Sequence, residues 1–62
     1  MQKTDCDVYP NGWIVIFDRL PNGWYETFVR NARGDIHDKV RADDYREARA
    51  YHRSFKAIAR AA

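Results

Sequence analysis

An α+β fold, with a three-stranded antiparallel meander packed on one C-terminal helix, is what this 62-residue sequence predicts. Three observations point to it. The motif Pro-Asn-Gly-Trp occurs twice, at residues 10–13 and 21–24. Segments rich in aromatic and β-branched residues follow each copy and recur once more, at 13–19, 24–30 and 35–41. Residues 43–61 then carry an apolar and a basic stripe, both at helical spacing. The whole chain, 1–62, reads as one small domain, near the lower limit for folding without disulfides or metal.

Taken in order, residues 1–9 are an arm or an edge strand, with 6–9 the segment best suited to pairing. At each Pro-Asn-Gly, proline presets the first turn position, asparagine tolerates the second and glycine accepts a left-handed backbone. That order predicts a type I turn closed by a glycine bulge, the usual three-residue hairpin. The eleven-residue repeat is therefore a pair of successive hairpins. Asn31-Ala32-Arg33-Gly34 makes the next turn, and the sheet occupies 13–41.

Hairpin geometry predicts a register. Leu20 faces Trp24, Phe17 faces Thr27 and Val15 faces Val29. With 31–34 as a four-residue loop, Arg30 faces Asp35, Val29 faces Ile36 and Tyr25 faces Val40. One sheet face then holds Trp13, Val15, Phe17, Tyr25, Thr27, Val29, Ile36 and Val40, with Asp38 at its margin. It is the natural seat for the helix. The other face carries Ile14, Ile16, Asp18 and Leu20, then Trp24, Glu26, Phe28 and Arg30, then Asp35, His37, Lys39 and Arg41. Glu26 is expected to pair with Lys39, and Trp24 to meet Arg41 as a cation–π pair.

The helix begins at Asp43 or Asp44, with Asp44 and Glu47 arranged like a capping box. Its apolar stripe is Ala48, Tyr51, Phe55, Ile58 and Ala62. Its basic stripe is Arg46, Arg49, Arg53, Lys56 and Arg60. At 100° per residue the two stripe centres lie roughly 160° apart. One side packs on the sheet; the other offers five positive charges and no negative one.

Net charge is only +2, but it is uneven. Residues 1–40 carry five Lys/Arg against six Asp/Glu, and residues 41–62 six against three. Such a split suits an anionic partner near the C-terminal half. Cys6 is the only cysteine, so no internal disulfide forms and two-cysteine metal knots are excluded. With no signal peptide and no run of membrane-spanning length, we expect a soluble, cytoplasmic protein.

No reaction is legible. His37 and His52 are the only histidines, no His/Cys/Asp cluster offers the three or four ligands of a metal site at suitable local spacing, and surface or packing roles account for both. Cys6 beside a histidine is a nucleophilic pair in principle, but so short a chain has little room for a substrate cleft. Ser54 lacks an elbow motif, and all three glycines serve turns. We expect a non-enzyme that needs no cofactor and no metal, and that takes no small-molecule substrate.

Three strands, a sheet carrying Trp and Arg, and a helix opening Asp43-Asp44-Tyr45-Arg46-Glu47-Ala48-Arg49-Ala50-Tyr51 together resemble a known group. They are similar to the small sheet-and-helix DNA-binding domains of bacteriophage integrases (the arm-binding type) and of plant ethylene-response factors. There the helix commonly carries a Glu-Ala pair followed by an aromatic, as Glu47, Ala48 and Tyr51 do here. The resemblance implies a sheet that enters the major groove, with Trp24, Arg30, Lys39 and Arg41 at the matching positions. This sheet departs from that pattern at Asp18, Glu26 and Asp35, which phosphates repel, and at Ile14 and Ile16. A slighter likeness is to antitoxin-like and phage- or plasmid-encoded accessory folds, in which a sheet-plus-helix unit binds and blocks a protein.

Two functional expectations follow. The first is a DNA-binding accessory protein using Arg30, Lys39 and Arg41 on the sheet and Arg46, Arg49, Arg53, Lys56 and Arg60 on the helix. Readout would fall to the sheet, with Arg41 and Arg46 at its rim. The second is an inhibitor or adaptor that engages a protein, or a second copy of itself, through Ile14, Ile16, Trp24 and Phe28, because exposed apolar patches mark interfaces. Residues 1–9 folding across that patch is the structural alternative. Single-stranded RNA stacked on Trp24 and Phe28 is a third, minor reading.

Overall fold

The computed structural model describes residues 4–62, with side chains from Asp5 onward. Four strands and one helix follow in chain order: β1 (Thr4–Val8), β2 (Ile14–Arg19), β3 (Tyr25–Arg30), β4 (Ile36–Ala42) and α1 (Tyr45–Ala61). The strands form one antiparallel meander in the order β1-β2-β3-β4. The N-terminal segment is thus a full edge strand, five residues long. It pairs in the plane of the sheet, Thr4 opposite Asp18 and Val8 opposite Ile14, and does not lie across the open face. The arm's residues 1–3 lie outside the described residues.

All three connections are the same hairpin. In each, the residue before the loop donates its N–H across the loop, from Tyr9 to Trp13, Leu20 to Trp24 and Asn31 to Asp35, at 2.7–2.9 Å. The loop glycine closes the turn from a left-handed backbone, with φ of +89° at Gly12 and +90° at Gly23. The β2–β3 register is as the hairpin geometry predicts, with Val15 opposite Val29 and Phe17 opposite Thr27.

The β3–β4 register differs from the expectation by two residues. The third loop has three residues, Ala32 to Gly34, not four, which moves the pairing by one and sets Arg30 opposite Ile36. A β-bulge then adds a second step: Val29 faces Asp38, leaving His37 as the extra residue. From Asp38 onward the faces are those expected. Before it they exchange. Ile36 joins Arg30's side and is 50% exposed, while His37 meets Trp13 with ring centroids 5.3 Å apart.

α1 starts at Asp44, whose side chain accepts from the Arg46 N–H, and it packs on one face of the sheet. Val15, Val29, Phe55 and Ala59 form one buried cluster, ringed by Tyr9, Trp13 and Val40. Phe17, Ala42 and Ala48 form a second, backed by Tyr25. Buried Thr27 satisfies its hydroxyl by donating to the Ile16 carbonyl at 2.8 Å. The helix's buried residues are Ala48, His52, Phe55 and Ala59. Tyr51 and Ile58, expected in the core, flank it and are exposed. The buried stripe is therefore rotated by about 50° toward the basic side. Its small residues, Ala48 and Ala59, let the helix backbone approach the sheet, and the large pair covers the flank.

Candidate functional site

Strand alternation and the observed register build the uncovered sheet face row by row. Across the middle run Cys6, Ile16, Phe28 and Lys39. On one side lie Val8, Ile14, Arg30 and Ile36; on the other, Asp18, Glu26 and Arg41. The apolar centre is Ile16 directly opposite Phe28, both partly buried by their neighbours. Val8, 69% exposed, and Ile36 extend it toward both edges of the sheet. Trp24, also exposed, stands two residues beyond Glu26 on the same face, so the charged row separates it from Phe28.

Charge on this face is largely satisfied within it. Asp18 sits directly opposite Glu26, a like-charge pair that costs stability unless a cation intervenes. Arg41 supplies the cation: its Nε donates to Glu26 Oε2 at 2.6 Å, with Lys39 Nζ 4.0 Å from the same oxygen. The expected ion pair of Glu26 with Lys39 is present, formed diagonally because Lys39 stands opposite Phe28, whereas the expected contact of Trp24 with Arg41 gives way to the Arg41–Glu26 pair. The two-residue register shift brings Arg41 opposite Glu26.

The helix cations lie away from this face and divide into two groups. Arg49 turns inward. Its guanidinium carbon lies 3.9 Å from the Phe17 ring centroid and 5.2 Å from that of Tyr45. Its Nη2 is 2.7 Å from Asp5 of β1, and its Nε donates to the Tyr45 hydroxyl at 2.9 Å. Burial, the largest single influence, lowers the Arg49 pKa. The hydrogen bonds and charges of Tyr45 and Asp5 together outweigh it, so the net shift is upward. Arg46, Arg53 and Arg60 stay exposed and form no ion pair among the described residues. Lys56 is partly buried between the two groups.

His52, buried under the helix, was not singled out by hydropathy. Arg49 Nη1 is 3.1 Å from its Nδ1, and because a guanidinium only donates, Nδ1 accepts and the neutral ring carries its proton on Nε2. Asp7 Oδ2 lies 3.4 Å from Nε2, but outside hydrogen-bond geometry, and Nε2 has no hydrogen-bond partner among the described residues. Desolvation first, then the charges of Lys56 and Arg49, push the His52 pKa below its ordinary value against the pull of Asp7. A ring whose Nδ1 is held by a cation is poorly placed to take a proton from a nucleophile. Cys6, on the other sheet face, is not part of this cluster.

Among the described residues no group of three or more His, Cys, Asp or Glu is placed to hold a metal ion. Among the described residues no helix is long and apolar enough to cross a membrane. Compared with protein-family models, with characterised proteins and with solved structures, the chain finds no match.

Proposed function

We propose that this chain is a small non-enzymatic binding module, an inhibitor or adaptor, that docks on a protein partner through the open face of its sheet. The observation that supports this most is the Ile16 and Phe28 pair at the centre of that face, extended by Ile14, Val8 and Ile36. Contiguous apolar surface of this kind, rimmed by charge, is the usual form of an interface. The rim over β3 and β4 carries Arg30, Lys39 and Arg41 against one engaged carboxylate, Glu26. The complementary partner is apolar at its centre and carries an acid where it meets Arg30, the rim cation that forms no ion pair among the described residues.

A second copy of the chain is a poorer occupant. Four strands of five to seven residues span a face of roughly 20 by 20 Å. That falls short of the about 800 Å² per partner typical of a stable pair. A two-fold axis across the strands also sets Lys39 against Lys39, and one along them sets Asp18 against Glu26. Reading of DNA by this face, the companion expectation, is less well supported: Glu26 already engages Arg41 and Lys39, and Asp18 stands beside them.

Photo-crosslinking in the producing cell tests the reading. A photoreactive amino acid replaces Phe28, with Arg53 on the helix as the control position. We expect a product specific to position 28. Its identified partner, once purified, binds the chain and loses at least tenfold in affinity with Phe28→Asp. A product of twice the chain's mass makes the partner a second copy, and equal crosslinking from positions 28 and 53 removes the docking role.

A further inference from the structure

From the exposed side of α1 we infer a second surface, independent of the sheet face: Arg46, Arg53 and Arg60 form a ridge that binds the phosphate backbone of duplex DNA without reading its sequence. These residues are spaced seven apart. Seven residues advance a helix by about 10.5 Å and return to within about 20° of the same direction. The three guanidinium groups therefore stem from one narrow ridge about 21 Å long. All three are exposed, with no ion pair among the described residues.

The ridge's charge is not cancelled locally. The helix has no acid after Glu47. The carboxylates of β1 nearest this flank face other groups, Asp5 meeting Arg49 and Asp7 meeting His52. A helix face that merely faces water gains from alternating signs at i,i+4, whereas like charges there cost stability. This helix instead places Arg49 before Arg53 and Lys56 before Arg60 at that spacing. Like charge is concentrated where alternation would have stabilised the fold.

The chemistry narrows the ligand. Arginine forks match phosphate geometry and suit a backbone contact better than lysine does. Anionic membranes are disfavoured, because surface-lying helices insert an apolar side and this one is committed to the sheet. Single strands need stacking rings, and the ridge residues themselves include none. Three point charges on a straight ridge carry no base readout.

Fluorescence anisotropy with a labelled mixed-sequence 20-base-pair duplex tests the ridge. Affinity should fall with salt at a log–log slope of about −2.7, or roughly forty-fold between 50 and 200 mM. R46Q/R53Q/R60Q should bring that slope close to zero while circular dichroism stays unchanged. Its urea midpoint should hold or rise, because repulsion has been removed. The matching sheet variant R30Q/K39Q/R41Q should keep the slope. Loss of binding in the sheet variant instead, or no binding at 50 mM salt, overturns the inference. So does equally tight, ridge-dependent capture of polyglutamate or of anionic vesicles.

Discussion

Arg49 lies over the ring of Phe17, its guanidinium carbon 3.9 Å from the ring centroid, and so joins the helix to the centre of β2. The same guanidinium reaches Asp5 on the edge strand. One cation thus ties three elements together, and it differs in kind from its neighbours on the basic stripe. Arg49→Ala removes a cation–π contact, a charge-assisted hydrogen bond and the packing of the side-chain stem. We expect a loss of about 1–2 kcal/mol in urea unfolding. Arg53→Ala should stay within about 0.5 kcal/mol, as an exposed substitution does. Equal effects would mean that Arg49 is a surface charge like the rest.

His52 gives the fold a pH dependence of fixed sign. Its pKa is lowered in the folded state, mainly by burial, so the unfolded chain takes up the proton first as pH falls. The stability contributed by the neutral ring is complete above the ordinary histidine value of about 6.5. It is lost as pH falls from there through the depressed folded value. Urea midpoints measured between pH 8 and pH 5 should decline for the parent chain, and decline less for His52→Gln. A parent midpoint that rises on acidification would show Asp7 winning over desolvation, Lys56 and Arg49.

Asn11 and Asn22 occupy the same place in two copies of one motif, yet only Asn11 reaches the helix. Both accept a backbone N–H from the following Trp at 3.0 Å. Asn11 also donates its Nδ2 to the Ala59 and Ala62 carbonyls, at 2.8 and 3.1 Å, and so ties the β1–β2 turn to the last turn of the helix. Asn11→Ala should therefore cost about 1 kcal/mol more than Asn22→Ala in chemical denaturation. The same ranking should appear as faster amide exchange in the last helical turn of the Asn11 variant alone.

Gly12 and Gly23 offer a second comparison between the two copies. A Cβ on either meets the penalty of a left-handed backbone, about 1–2 kcal/mol. At Gly12 it would also stand 3.1 Å from the Ala32 Cβ, whereas at Gly23 it would meet nothing within 4 Å. Gly12→Ala should be the more destabilising of the two by urea unfolding.

Which parts of this molecule were legible in the chain follows from how local their causes are. The Pro-Asn-Gly turns were legible because each residue acts on its own backbone, and the β2–β3 register follows from the turn alone. Asn31 starts a turn without proline, so its loop length was one residue ambiguous. Nothing local announces the bulge at His37. The edge strand was only half legible, since Asp5 and Asp7 break the apolar alternation on the side facing the helix. They belong there because Arg49 and His52 descend to meet them. The same contacts turn the helix so that His52 and Ala59 are buried in place of Tyr51 and Ile58, an outcome hydropathy alone does not reach. On the open face, alternation was enough to find Ile14, Ile16 and Phe28. Val8 and Ile36 join them only through the β1 pairing and the bulge.

The central claim is that the two faces of the sheet have different work: one is the core and the other is free for a partner. Urea unfolding of Phe17→Thr and Phe28→Thr, which put a residue of good strand propensity in place of each ring, tests it most directly. A domain of this size holds only about 3–9 kcal/mol in total. Phe17 is 3% exposed within the core, and its replacement should cost more than about 3 kcal/mol, a third or more of that total. Phe28→Thr should stay folded, within about 1 kcal/mol of the parent. Equal loss at both positions would contradict the account, because the open face would then be as much a part of the core as the covered one.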